Sequence, residues 1–90
     1  MSEKEKFPLG HIYTSRGAAE RLTLEEQISL ITRHSRLDQG ALDDYDYKMN
    51  KLGIENGDRI ISCYMVRDER VYVETSADRS LTTVYLFGEY

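Results

Sequence analysis

The last third of the chain most restricts what it can fold into. RIISCYMV (59–66), RVYVET (70–75) and SLTTVYLF (80–87) each read as a strand, and only RDE and SADR separate them. Links this short cannot carry a chain back to start a parallel neighbour, so the three runs predict an antiparallel meander. Alternation assigns the faces. Ile61, Cys63 and Met65 oppose Ile60, Tyr64 and Val66; Val71 and Val73 oppose Tyr72 and Glu74; Val84 and Leu86 oppose Leu81, Thr83, Tyr85 and Phe87.

A three-stranded meander needs a cover, and the preceding residues supply helices. Thr23 and Glu26 in TLEE stand in capping-box spacing, where each side chain satisfies an end amide of the other. The helix they open is predicted over 24–35, with Leu24, Ile28, Leu30 and Ile31 on one broad face and Gln27 and His34 inside the same arc. That placement predicts a half-buried His34. Ser15 can cap a short helix over 16–22, weakened by Gly17. A further helix is predicted over 42–52, with Leu42, Tyr45, Met49 and Leu52 on one side, early aspartates, late lysines and Gly53 as its stop. RLDQG (36–40) reads as a loop and Asn56-Gly57 as a tight turn. LGHIYT (9–14) is a candidate N-terminal strand with Ile12 facing inward, and residues 1–8 are a flexible lead-in ended by Pro8. The expected fold is α+β: two to three N-terminal helices on one face of a small antiparallel sheet, in a single domain over 9–90.

Ninety residues leave too little chain for a second core. A 40% hydrophobic content with seven tyrosines suffices for one. No apolar run is long enough to cross a membrane, and MSEKEKFP is not a secretory leader. One cysteine makes no internal disulfide, which fits a reducing cytoplasm. The net charge of −4 is concentrated in residues 38–58, where Asp38, Asp43, Asp44, Asp46, Glu55 and Asp58 face only Lys48 and Lys51. No basic face exists to replace the counterions of a nucleic acid, so direct nucleic-acid binding is not expected.

Several constellations bear on chemistry. Arg33, His34 and Asp38 place a proton carrier near a carboxylate, but no nucleophile, metal or oxyanion donor is spaced to join them. The simpler expectation is a histidine bonded to Asp38 or to backbone at the helix end. Two histidines, one cysteine and scattered acids show no zinc spacing, and no glycine-rich phosphate loop is present, so neither metal nor cofactor is expected. Cys63 reads as a small core residue. In TSADRS, Asp78 is expected to accept the Ser80 amide in an Asx turn, with Arg79 in solvent; Arg79 and Thr82 form a candidate contact pair. Asp43, Asp44, Asp46 and Tyr47 form a candidate docking surface in which carboxylates beside a tyrosine imitate a phosphate track.

The ordered runs LGHIYTSRGAAERL, RHSRLDQGAL, NGDRIISCYM and TSADRSLTTVYLFGEY resemble a family of small plasmid-related proteins carried by plasmids, integrative elements and phages. That family's pattern reads roughly G-x-I-x-x-T-x-G-A, then R-H-x-x-x-D-W-G, then A-D-R-S-x-T-T and a terminal L-P-x-E-Y. The resemblance spans residues 9–90, with Gln39 in the tryptophan's place and Phe87-Gly88 replacing the Leu-Pro ending. It implies a mobile-element accessory protein and no particular reaction. Combined with the charge map, it gives a non-enzymatic protein acting on a host protein. The expected target is a nucleic-acid-handling defence enzyme blocked in an anti-CRISPR or anti-restriction role, with Asp43, Asp44, Asp46, Tyr47, Arg79 and Thr82 at the contact. The alternative is a small-ligand or nucleotide site around Arg33, His34, Asp38 and Arg79. A homodimer through outer-face tyrosines such as Tyr72 or Tyr85 is a third expectation.

Overall fold

The structure is a computed structural model that describes residues 5–38 and 44–89, the backbone alone for 44–47. The elements run β1 (His11–Thr14), α1 (Arg16–Arg21), α2 (Leu24–Ser35), α3 (Asp44–Asn56), β2 (Ile60–Val66), β3 (Glu69–Thr75) and β4 (Leu81–Leu86). The α+β class and the meander are as expected. The sheet has four strands in the order β1-β4-β3-β2, and it is mixed, not antiparallel throughout. β1 pairs parallel with β4, His11 opposite Leu81 and Thr14 opposite Val84, a pairing that the three helices and two strands between them in sequence leave chain enough to make.

Ala18, Leu22, Leu30, Tyr64, Val71, Val73, Val84 and Leu86 form the core between α1, α2 and one sheet face. The Thr23–Glu26 capping box is present, and it carries a second duty. Arg67, in the β2–β3 turn with φ 54°, donates to Glu26 at 2.6 Å and to the Arg21 carbonyl at 2.6 Å. The hairpin tip is thereby clamped to the junction of α1 and α2.

Four details differ from expectation. The buried side of α2 is centred on Leu30 and His34, while Leu24 and Ile28 stay 70% and 54% exposed. Both lie on one edge of the predicted arc, past the sheet. α3 does not stop at Gly53 but continues to Asn56, and Gly57 at φ 77° takes the left-handed position after it. Lys48 and Lys51 therefore lie inside the helix, not in its last turn. Gly53 serves close approach instead: a Cβ there would sit 3.1 Å from the Arg59 carbonyl. Met49 and Leu52 are about half exposed, and α3 leans on β2 through buried Asn50; Leu42 lies outside the described residues, as does the side chain of Tyr45. Ile12 faces the helix layer as expected but stays 48% exposed, because β1 is an edge strand whose register with Thr82 sets Ile12 at the rim of that layer. Nor is the lead-in loose as far as Pro8. The Lys6 amide donates to the Ser35 carbonyl and Phe7 is buried.

Candidate functional site

Three hydroxyls occupy inward strand positions where alternation would place apolar side chains. Ser62 lies between Ile60 and Tyr64, Thr75 follows Val73, and Thr82 precedes Val84. Thr75 and Thr82 are directly opposite in the β3–β4 register. Onto them α2 lowers His34, which is 0% exposed rather than half-buried. Its Nδ1 lies 2.7 Å from Ser62 Oγ and its Nε2 2.9 Å from Thr75 Oγ1. Thr75 Oγ1 is 2.7 Å from Thr82 Oγ1, which donates to the Leu9 carbonyl at 2.7 Å.

The terminal carbonyl fixes the direction of the chain. Thr82 spends its proton on Leu9, so it accepts from Thr75; Thr75 then accepts from His34 Nε2–H, and Nδ1 accepts from Ser62. Every member is satisfied with a neutral imidazole. Burial without a nearby carboxylate holds that imidazole down at about 4. Ser62 and His34 are the atoms of a nucleophile and a base, but both are fully buried and no substrate carbonyl can reach them. Asp38 is not the partner of His34. It takes Arg33 in a fork, at 2.7 and 3.1 Å, and its main-chain carbonyl accepts the Tyr64 hydroxyl at 2.5 Å. The Arg33 guanidinium also lies over the Tyr64 ring, 4.6 Å from its centroid.

Arg79 is not in solvent. At φ 63° it turns back and its guanidinium donates to the carbonyls of Asp58 (2.6 Å), Gly53 (3.0 Å), Ser76 (3.1 Å) and Ala77 (3.4 Å). It thereby ties the end of α3 to the β3–β4 loop. The Asx turn beneath it forms as expected, with the Ser80 amide on Asp78 Oδ1 at 3.0 Å. The hydroxyls of Ser80 and Ser76 join that amide in holding the Asp78 carboxyl at about 2. Thr82 is fully buried, so it presents no surface to a partner.

Arg33 and Asp38 thus meet at Tyr64, whereas His34 and Arg79 are linked through Phe7. Its ring meets His34 edge-on at 5.2 Å and lies under the Arg79 guanidinium at 5.8 Å. Each of these four side chains is engaged by the protein itself. Among the described residues no group of three or more His, Cys, Asp or Glu side chains is disposed to hold a metal ion.

Open surface lies elsewhere. The helices that build the core cover one sheet face, and the other carries Tyr13, Tyr72, Tyr85, Phe87, Ile61 and Met65. Tyr72 and Tyr85 stack at 5.5 Å, and Phe87 lies 6.5 Å from Tyr72. A hollow of about 540 Å³ over Thr83 is walled by Tyr13, Leu81, Tyr85, Glu74 and Ser76. A second, of about 730 Å³, shares Glu74 and Ser76 and runs on past Ile61, Arg59 and Asp58 to Met49 and Asn50 of α3. Together they form a trough across the strands. Glu74 is its central charge, accepting the Tyr85 hydroxyl at 2.8 Å and facing Arg59 at 3.4 Å. Burial and that carboxylate raise the Tyr85 phenol, so Tyr85 remains a donor at all ordinary pH.

The aromatic residues of this face were visible in the sequence, but the trough was not, since it depends on α3 flanking β2. Asp44, Asp46 and Tyr47 fall in the first turn of α3, near that flank, and Asp43 lies outside the described residues. No protein-family model, no curated protein and no solved structure matches the chain.

Proposed function

We propose that the protein is a non-enzymatic accessory factor of a mobile element that works by binding a host protein in the cytoplasm. The observation that carries this reading is the disposition of its chemistry-bearing side chains. Arg33, His34, Asp38 and Arg79 are spent on internal bonds, while an aromatic sheet face and the nearby acids Glu55 and Asp58 are left open. A trough with walls of tyrosine, leucine and methionine around the carboxylates of Glu74 and Asp58 suits an apolar protein surface carrying a basic group. The acidic stretch that begins at Asp43 and reaches Asp58 adds long-range attraction for the same kind of partner.

A basic groove of a nucleic-acid-handling defence enzyme fits both features, which gives the protein an inhibitory role of the anti-CRISPR or anti-restriction kind. Affinity capture from host lysate at low and moderate salt tests this. A single stoichiometric enzyme, released as salt rises, is the expected result. In the double variant Asp43→Lys with Asp46→Lys, capture should be lost while the melting temperature stays within a degree or two. Unchanged capture by that variant would remove the acidic surface from the proposal.

A further inference from the structure

The two edges of the sheet are treated differently. At the β2 edge the Asn50 side chain takes the place of a neighbouring strand. Its amide nitrogen donates to the Ile61 carbonyl at 2.6 Å and its oxygen accepts the Ile61 amide at 3.2 Å. Both outward groups of Ile61 are thereby closed to any other chain. A plug of this kind is how a protein blunts an edge.

β1 at the other edge carries no such plug. The His11 amide bonds Ser80 and the Ser15 amide bonds Val84, so in a parallel ladder the main chains of His11, Tyr13 and Ser15 face β4. Those of Ile12 and Thr14 face away, and among the described residues no hydrogen bond to another element covers them. The same strand exposes apolar side chains on both sides, Ile12 at 48% toward the helix layer and Tyr13 at 59% toward the open face.

We propose that β1 is a self-association edge that pairs antiparallel with β1 of a second copy about a two-fold axis at Tyr13. The register follows from the free groups. Ile12 of one copy and Thr14 of the other, both with outward main chains, exchange their amide and carbonyl bonds, and symmetry repeats the exchange on the far side of the axis. Tyr13 then meets Tyr13 of the second copy in a non-hydrogen-bonded pair, where side chains come closest. The result is one continuous eight-stranded sheet in which Asn50 plugs each outer edge at Ile61.

A second copy fits this edge better than a foreign strand for two reasons. HIYT pairs with itself with every outward group satisfied. It also carries no Asp, Glu, Lys or Arg, so two chains of net charge −4 can meet there without like charges in opposition. Four residues per copy are few beside the ~800 Å² per partner of a standard interface, so the dimer is concentration-dependent. This inference does not rest on the host-partner reading and stands or falls separately.

Sedimentation equilibrium from micromolar to millimolar protein tests it, and the expected result is a reversible shift from monomer to dimer mass. Ile12→Pro removes only an outward amide and leaves the β4 ladder intact, so it should abolish the dimer while retaining a cooperative melt. Tyr13→Lys, which opposes two cations across the axis, should do the same should Ile12→Pro fail to fold. Register is read from oxidation in a Cys63→Ala background. Tyr13→Cys should cross-link to its own mate, whereas Ile12→Cys, facing Thr14, should not. A monomer at every concentration overturns the proposal. So does a dimer that survives both edge variants, which would assign the interface to the open face, and so does cross-linking at position 12 in preference to 13.

Discussion

His34 reaches its site on α2 because Ser62, Thr75 and Thr82 offer it oxygens in an otherwise apolar layer, and it is buried there uncharged. Its folded-state value of about 4 lies below the unfolded 6.5, so between those limits the unfolded chain binds the extra proton. Stability attributable to His34 is therefore intact above pH 6.5 and falls as pH drops toward 4. The full loss is roughly 3 kcal/mol, of which about 2 is lost by pH 5. Glu26, Asp78 and Glu89 are shifted down as well, but their contribution is present above the ordinary carboxylate range and is lost only in stronger acid. The window from 6.5 to 4.5 thus belongs to His34. Urea unfolding at pH 7 and pH 5 measures the slope, and His34→Gln should flatten it at the cost of a lower plateau. A slope that survives His34→Gln would assign the effect elsewhere.

Among the elements, α3 is the one whose role depends most on a single side chain. Among its described side chains, Met49 and Leu52 stay half exposed. Asn50 holds it by two bonds to Ile61, and Arg79 holds its far end through the Gly53 carbonyl. Asn50→Ala would release both Ile61 groups and loosen the helix. Unfolding free energy should fall by about 1–3 kcal/mol, the cost of orphaning buried polar groups. The β2 edge would open at the same time, so light scattering should detect larger assemblies than the wild type forms. A stable variant of unchanged size would mean that α3 covers that edge without the asparagine. Arg67 plays the matching part at the other end of the sheet, where one guanidinium joins the hairpin turn to the capping box of α2.

At the scale of the whole molecule, the N-terminal segment closes the sheet end that the helices leave open. Phe7 covers His34 and stacks under Arg79, the Leu9 carbonyl ends the hydroxyl chain, and Gly10 at φ 67° passes hard against the Ser80 backbone. Deleting residues 1–7 removes a buried aromatic ring and should cost about 3 kcal/mol. It should also admit water to the imidazole. The His34 ring protons, followed by NMR titration, would then move up from about 4 toward 6.5, and the pH slope would shrink. An unmoved titration would show that the helix and strands alone keep the imidazole dry.

What the sequence determined by itself is local. The strand spans and the alternation of their faces, the capping box at Thr23, the full extent of α2 and the Asx turn at Asp78 all follow from neighbours within a few residues, where periodicity and side-chain-to-backbone bonds decide. What only the tertiary structure decided depends on distant partners. β1 joins parallel to β4 across the whole chain, Gly53 stays helical because Arg59 and Arg79 pack around it, and Arg79 finds four carbonyls instead of water. His34 is buried not because of its own helix but because three strands present hydroxyls at one depth. The trough, too, exists only once α3 has settled beside β2. Local chemistry is written in order along the chain, whereas burial and the satisfaction of polar groups are properties of residues brought together by folding.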